Sequence, residues 1–441
     1  MIDVLFDALR CAVIAFGALG LGWWVAAPGR PSWLLILAPL FTPNLLISYA
    51  WARFAYELGR WPALILVFYS AVLVLKLVPL AAVARHFFPS PLQPEGAFCY
   101  ALATGGVPGK DPRFKVRAAG PVPWIVAALL FLIAFSEFEL ASLWSLKTWP
   151  VRLFDAHAGG LKLTESLRLA AWPAFWQATV LAAMLWTTRR PVPRAEPESA
   201  TLLPGSRSRS RLAFVIASAT VVTLWPLGFV MALALAGFQT LGRNTVFPAD
   251  LAASCAFASM TAVLAWLISG FGPKRSATVT IAAALPGLLG ALVVALFILA
   301  LFQLPGLRTI YDTPLPLLIA LIIIVIPGAL LLRWLIEVQR PADALHVARL
   351  ARSRWLRWEM SGKLKFSAIA LLGCWTWFDF TASSILAPVG LTPVFVRLHN
   401  LAHYGQTAAL SALLLAATVV PILVLALTLG AARLYARRDA R

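Results

Sequence analysis

Apolar stretches about as long as a bilayer is thick recur along the whole chain. A membrane-crossing helix needs roughly 20 predominantly apolar residues. About eleven stretches of this kind are found at 11–28, 33–52, 62–84, 121–146, 169–188, 212–237, 250–271, 278–303, 315–336, 366–389 and 407–432. The chain is 61% hydrophobic and only 12% charged, so water cannot be the main solvent of the fold. The sequence therefore predicts an all-α, polytopic membrane protein.

The formal charge of +19 is concentrated in alternate loops between these stretches. Lys and Arg cluster at 85–117, 189–211, 274–275, 340–365 and 433–441. By the positive-inside rule these loops are cytoplasmic, which predicts an N-terminus outside and a C-terminus inside the bacterial inner membrane. Trp355 and Trp358 among the cations of the fourth cluster favour contact with lipid headgroups over nucleic acid.

A polar stretch divides the apolar segments into two groups. Residues 189–211 combine proline, serine and arginine without apolar periodicity, which is typical of a flexible cytoplasmic linker. The interpretation is a first repeat at 1–188 with about five spans and a second repeat at 212–441 with six.

Two sequence blocks recur in both halves at nearly one offset. Residues 137–143 read EFELASL and 379–385 read DFTASSI, while 151–160 read VRLFDAHAGG and 396–405 read VRLHNLAHYG. The two acids are 242 residues apart and the two arginines 245, a coincidence that independent chance matches would not produce. Because both copies of the acid-Phe block run outward, the repeats are predicted to be parallel, with a substrate path between the halves.

The segment 393–434 resembles the C-terminal end of permeases of binding-protein-dependent ABC importers. The group is type I, which includes the fused ferric-iron and thiamine permeases, and the acid-Phe helix resembles it too. The resemblance implies a permease subunit that moves a small polar or metal-containing solute. It also implies a separate cytoplasmic ATP-binding subunit and a periplasmic or extracellular solute-binding protein. ATP would act through the partner, and no cofactor is expected in this chain.

The same family carries a cytoplasmic coupling loop, with Glu-Ala-Ala, three residues and then Gly, that docks into the ATPase. Residues 341–355 read PADALHVARLARSRW, with His at the Glu position, Val at the first Ala and Arg at the Gly. The resemblance implies that this loop and the less regular one at 86–120 couple transport to ATP hydrolysis. The implied coupling residues are Leu345, His346, Ala348, Leu350 and Arg352.

Acidic residues inside apparent spans give the strongest site signal from the residues themselves. A charge near the bilayer centre costs about 2.5–3.5 kcal/mol on insertion scales, so it should face a cavity or a partner. The acids either are structural, hydrogen-bonded where the halves meet, or line the translocation path. The predicted pathway residues are Glu137, Glu139, Ser142, Asp379, Ser383 and Ser384.

Histidines follow each acid in a predicted outer segment. His399 and His403 are four residues apart and could share a helical face as metal ligands, but no third ligand lies nearby, so no metal site is predicted. The family comparison makes the outer segments 149–168 and 390–406 a docking surface for a solute-binding protein. The residues assigned to it are Arg152, His157, Arg397, His399 and His403.

An enzymatic function is not predicted. The stretch 105–111, GGVPGKD, lacks the spacing of a phosphate-binding loop, and no nucleophile and base occur as a set. Two alternatives to the ATP-driven permease stay open. One is a proton-coupled secondary transporter in which Glu137, Glu139 and Asp379 carry protons, and the other is a permease-like protein that has lost ATPase coupling.

Overall fold

The structure is a computed structural model, and helices account for its regular secondary structure. It describes residues 2–26, 33–87, 99, 102, 120–188, 209–241, 246–271, 277–339, 346, 350, 355, 358–403 and 407–438. Within these residues there is no β-strand, and long apolar helices dominate. The predicted all-α, polytopic membrane fold is confirmed.

Eighteen α-helices are numbered here in chain order. They are α1 (Ile2–Val25), α2 (Trp33–Phe41), α3 (Asn44–Leu58), α4 (Pro62–Phe87), α5 (Val122–Phe135), α6 (Glu139–Leu143), α7 (Trp149–Ala158), α8 (Leu163–Thr188), α9 (Arg209–Ala219), α10 (Trp225–Leu241), α11 (Phe247–Ser269), α12 (Ala277–Leu288), α13 (Ala291–Phe302), α14 (Leu315–Gln339), α15 (Lys363–Trp377), α16 (Thr381–Leu386), α17 (Val394–His403) and α18 (Thr407–Arg438). Short π-helical turns at Thr220–Leu224 and Trp358–Gly362 join α9 to α10 and precede α15.

The described residues contain eight helical segments long and apolar enough to cross a membrane, or ten if each of two bent helix pairs is one span. The sequence predicted about eleven. The difference lies in the predicted span 366–389, where α15 is only 15 residues long and ends at Trp377. The chain is broken there beside an acid, so no uninterrupted helix of spanning length forms.

Two of the predicted spans, 33–52 and 278–303, are bent inside the apolar stretch. The axis turns by 80° between α2 and α3 and by 102° between the end of α12 and α13. Pro43, which lacks a backbone N–H, lies in the first break directly before α3, and its carbonyl accepts from the Ile47 N–H. Gly290 lies in the second with φ of 87°, a conformation that a residue with a Cβ adopts only with strain.

The helices form two compact units. The first unit comprises Met1–Thr42, Trp51–Trp149 and Trp172–Pro226, and the second comprises Pro43–Ala50, Pro150–Ala171 and Leu227–Arg441. The predicted division into repeats at 1–188 and 212–441 stays a prediction, and most of the linker 189–211 lies outside the described residues.

Within each unit one long helix packs against two other helices. In the first unit α1 contacts both α4 and α5, and in the second α11 contacts both α14 and α15. Gly22 allows the close approach of α1 to α4, because a Cβ there would overlap the Ala81 side chain. Gly287 likewise lies against the backbone of Ile323, so α12 and α14 pack at short range.

A proline just after the π-helical turn between α9 and α10 leaves one backbone carbonyl of that turn without a donor. In a π-helix the carbonyl of Val221 would accept from the N–H five residues later, but that residue is Pro226, which has no donor. Trp51 Nε1 donates to this carbonyl instead, at 3.1 Å. The hydroxyls of Thr42 and Thr223 are 2.8 Å apart beside it. A side chain from α3 thus satisfies the carbonyl that the proline leaves free.

Candidate functional site

Glu137 lies at a break in the membrane-spanning segment formed by α5 and α6. Helix α5 ends at Phe135 and α6 begins at Glu139. The Leu140 N–H donates to Glu137 Oε1 at 2.6 Å, and the Ala141 N–H donates to Oε2 at 3.4 Å. The carboxylate therefore caps the short helix that follows it, where free N–H groups and the helix dipole both favour a negative charge.

Asp379 occupies the corresponding place after α15. The Ser383 N–H and the Ser383 hydroxyl both donate to Asp379 Oδ2 at 3.0 Å. The second acid therefore also caps the short helix after it, here α16. Both roles that the sequence left open for these acids, the structural role and the pathway role, stay predictions.

The two acid segments have the same succession of elements. In each, a long apolar helix ends two residues before the acid, and a helix of five or six residues follows it. A ten-residue helix comes next in both, α7 and α17, and then a long helix, α8 and α18.

Glu137 also receives a hydrogen bond from outside its own segment. The Tyr69 hydroxyl of α4 donates to Glu137 Oε2 at 2.6 Å, and the Tyr69 side chain is fully buried. The Arg10 guanidinium lies 5.1 Å from the centre of the Tyr69 ring and pairs with Asp7 at 3.1 Å. A carboxylate, a phenol, a guanidinium and a second carboxylate thus form one network inside the first unit.

Lys76 of α4 adds a second cation near this network. Its ammonium donates to the backbone carbonyl of Thr42 at 2.9 Å and interacts electrostatically with the carboxylates of Glu139 and Glu137. Thr42 is the residue between α2 and α3, where the chain bends. The predicted pathway residue Glu139 therefore interacts with the charged groups of the first unit.

Polar side chains of α1 and α11 each bind the start of a ten-residue helix. In the first unit the Trp149 N–H donates to Asp7 Oδ2 at 2.8 Å. In the second the Val394 N–H donates to Ser254 Oγ at 2.8 Å. One turn before Ser254, the buried carboxylate of Asp250 pairs with Arg397.

Sequence reasoning missed Asp7, Asp250 and Ser254 as site residues. Both aspartates are at most 5% exposed, although each lies within two turns of the start of a span. A signal was present in the numbering, because Asp7 and Asp250 are 243 residues apart, close to the 242 that separate Glu137 from Asp379. Trp149, which binds Asp7, and Arg397, which binds Asp250, are each more than 140 residues away in sequence, so no local pattern reveals these contacts.

Ser383 and Ser384 make side-chain hydrogen bonds within their own segment. Ser383 binds Asp379 as described, and the Ser384 hydroxyl donates to the Thr381 carbonyl at 2.9 Å. Ser142 lies partly buried in α6. Glu137 and Glu139 lie at the start of α6 and Ser142 near its end, whereas Asp379, Ser383 and Ser384 lie just before and within α16.

The predicted outer residues lie in the two ten-residue helices. Arg152 and His157 are in α7, and His157 Nδ1 is 3.1 Å from Ser166 Oγ. His399 of α17 is buried and stacks on Phe380 with ring centres 4.0 Å apart. His403 is the last residue of α17. Within the described ranges, His, Cys, Asp and Glu form no group of three or more that could hold a metal ion.

Most of the predicted coupling residues cannot be placed. Leu345, Ala348 and Arg352 lie outside the described residues. His346 and Leu350 are helical and exposed. The first coupling loop, 86–120, lies almost wholly outside the described ranges.

The first unit provides three carboxyl groups, one phenol and two cationic side chains in an apolar surrounding. The network can hold or pass a proton along the Tyr69–Glu137 hydrogen bond, or neutralise a charged solute. In comparisons with models of protein families, with curated proteins and with solved structures, nothing matches this chain.

Proposed function

We propose that this chain is the permease subunit of an ABC-type importer, built from two parallel permease-like repeats in the bacterial inner membrane. It would move a small polar or metal-containing solute, driven by a separate cytoplasmic ATPase. The observation that carries the proposal is the acid-capped short helix followed by a ten-residue and a long helix, which occurs twice at nearly one offset. A duplicated membrane bundle of this kind is the common architecture of transporters.

The correspondence extends over most of the described helices and supports the repeat. One series is α1, the bent pair α2–α3, and then α4 to α8; the other is α11, the bent pair α12–α13, and then α14 to α18. In each, the helix with the buried aspartate packs against the helix after the bent pair and against the helix that ends before the acid. Helices α9 and α10 are additional to the second series, which agrees with its extra predicted span.

The ATP-driven mechanism is tested by the coupling loop. We expect an ATPase subunit to co-purify with the tagged protein in mild detergent, and the Leu350→Asp variant to lose most of it without loss of folded protein. Leu350 is 69% exposed and helical, which suits a docking residue. Leu304→Asp, at a residue 51% exposed before α14, is the matched control and should retain the ATPase. Equal recovery of the ATPase with both variants would contradict docking through this loop.

A proton-coupled secondary transporter is the second candidate, favoured by the charge network around Glu137. In proteoliposomes, transport that continues without ATP and stops when the proton gradient is dissipated would select it. Glu137→Gln should then abolish transport, because the amide cannot bind the transported proton. If no ATPase co-purifies and neither energy source drives transport, the chain is a permease-like protein that has lost its coupling.

A further inference from the structure

Lys76 is placed where a broken membrane helix would otherwise present free oxygen ligands. Thr42 follows the last residue of α2, and Pro43 separates it from the first residue of α3, after an 80° bend. Carbonyl groups at such breaks have lost their intrahelical donors. The Lys76 ammonium donates to the Thr42 carbonyl at 2.9 Å.

The same ammonium also faces negative charge. Lys76 lies two helical turns after Tyr69 on the same helix, and Tyr69 binds Glu137, so the carboxylates of Glu137 and Glu139 act electrostatically on the ammonium. Glu137 is bound by the Tyr69 hydroxyl and by two backbone N–H groups, and Glu139, two residues later, is the first residue of α6. A backbone carbonyl and a carboxylate around one positive charge are the ligand types that bind alkali-metal cations at broken helices in transporters.

We infer that the Thr42 carbonyl, with Glu139 and Glu137, forms a monovalent-cation site in which the Lys76 ammonium is the permanent occupant. The tethered cation fills the site without being released, so the protein needs no sodium or potassium ion there. The inference does not depend on the proposed transport function, because it concerns the first unit in its resting structure.

The second unit supports this assignment by contrast. Its bent pair breaks at Gly290, and the helix that follows it, α14, has no charged residue between Leu315 and Leu332. Among the described residues, the ammonium therefore accompanies the break of the first bent pair, and α14 has no counterpart of it up to Leu332. Removing the lysine should leave an oxygen-lined site with net negative charge, which a small free cation can enter.

The test is the thermal unfolding of the purified full chain in detergent in different chloride salts. Lys76→Ala should have the same apparent Tm as wild type or a lower one in N-methyl-D-glucamine chloride, and a Tm higher by about 3–6 °C in sodium or potassium chloride at about 0.3 M. Wild type should show no such difference. Lys363→Ala, which removes an exposed lysine paired with Glu359 at 3.7 Å, is the matched control and should resemble wild type.

A second variant tests the ligands. Lys76→Ala combined with Glu139→Gln should lose the response to sodium and potassium, because the carboxylate that attracts the cation is gone. An equal response in wild type, no response in Lys76→Ala, or an unchanged response in the double variant would each overturn the inference. If Lys76→Ala yields folded protein only when purified in sodium or potassium chloride, the inference is supported. Failure to fold in all three salts overturns it.

Discussion

The two acid segments share a backbone arrangement but differ in what surrounds the acid. Asp379 is bound within its own segment, by the N–H and hydroxyl of Ser383. Glu137 caps its helix in the same way and is also bound by Tyr69 and close to Lys76, both from α4. The helix that corresponds to α4 in the second series, α14, is apolar over most of its length. The cap is thus the common feature, and the charge network is a property of the first unit alone among the described residues.

An acid inside a predicted span therefore has two separable roles, as the cap of a short helix and as a member of a charge network. The cap explains why a carboxylate is tolerated there, because backbone N–H groups satisfy it without any partner side chain. Glu137 has, besides these N–H groups, the Tyr69 hydroxyl as a donor and Lys76 as a nearby cation. The predictions below separate the two roles by their expected effects on the free energy of unfolding, measured by denaturant unfolding in detergent micelles.

Removing the Glu137 carboxylate should have the largest effect. Glu137→Ala leaves the buried Tyr69 hydroxyl, two N–H groups and the Lys76 charge without their partner, so we expect a loss of about 3–5 kcal/mol. Glu57→Ala, which breaks an exposed pair with Arg60 at 3.8 Å, is the control and should cost about 0.5 kcal/mol or less. A loss no larger than that of Asp379→Ala would contradict the network.

Removing the aspartate that holds α7 should come next. Asp7→Ala leaves the Trp149 N–H and the Arg10 guanidinium unpaired, and Asp7 is only 4% exposed. We expect a loss of about 2–3 kcal/mol. Ser254→Ala removes the neutral acceptor of the corresponding N–H in the second unit and should cost about 1 kcal/mol. The reverse order of these two losses would mean that the aspartate does not anchor α7.

The hydrogen bond between Tyr69 and Glu137 should give a coupling energy of about 2 kcal/mol in a double-mutant cycle of Tyr69→Phe with Glu137→Ala, because the acceptor is charged and the donor buried. A cycle of Tyr49→Phe with Ser411→Ala, whose hydroxyls are 3.1 Å apart in the second unit, involves two neutral groups. Its coupling energy should be about 0.5–1 kcal/mol. Equal coupling in both cycles would show that the Glu137 charge adds nothing.

Removing the second acid should have a smaller effect than removing the first. Asp379→Ala removes a helix cap and leaves Ser383 to bind elsewhere, so we expect a loss of about 1–2 kcal/mol. Asp379→Asn keeps an oxygen acceptor for the same N–H and should recover at least half of that loss. A loss above about 3 kcal/mol would indicate that Asp379 also has partners beyond its own segment.

The sequence predicted much of the fold because its signals are local. Hydropathy found the apolar helices, and the proline at 43 and glycine at 290 mark the two bends, although the bends themselves were not predicted. The break at Glu137 carries neither proline nor glycine. There the acid lies between two helices and caps the second one. The average hydropathy of a segment does not indicate a capping residue.

The site was only partly predictable because its contacts are long-range. Equal spacing identified Glu137 and Asp379 as a pair, and their placement beside short helices follows from the structure. The bonds from Asp7 to Trp149 and from Tyr69 to Glu137 join residues 142 and 68 positions apart. A single sequence contains no pattern that pairs such residues, so these partners could not be predicted from it.

If the two acid segments are copies of one parallel repeat, the links that follow α6 and α16 lie on the same side of the membrane, and labelling from one side measures this. Lys147 and Val389 are exposed residues in the links that follow α6 and α16. Lys147→Cys and Val389→Cys are introduced singly into a variant whose four native cysteines are replaced by serine, and spheroplasts are treated with a membrane-impermeant maleimide. We expect both cysteines to react before the membrane is permeabilised. Reaction of one site before permeabilisation and of the other only afterwards would contradict it.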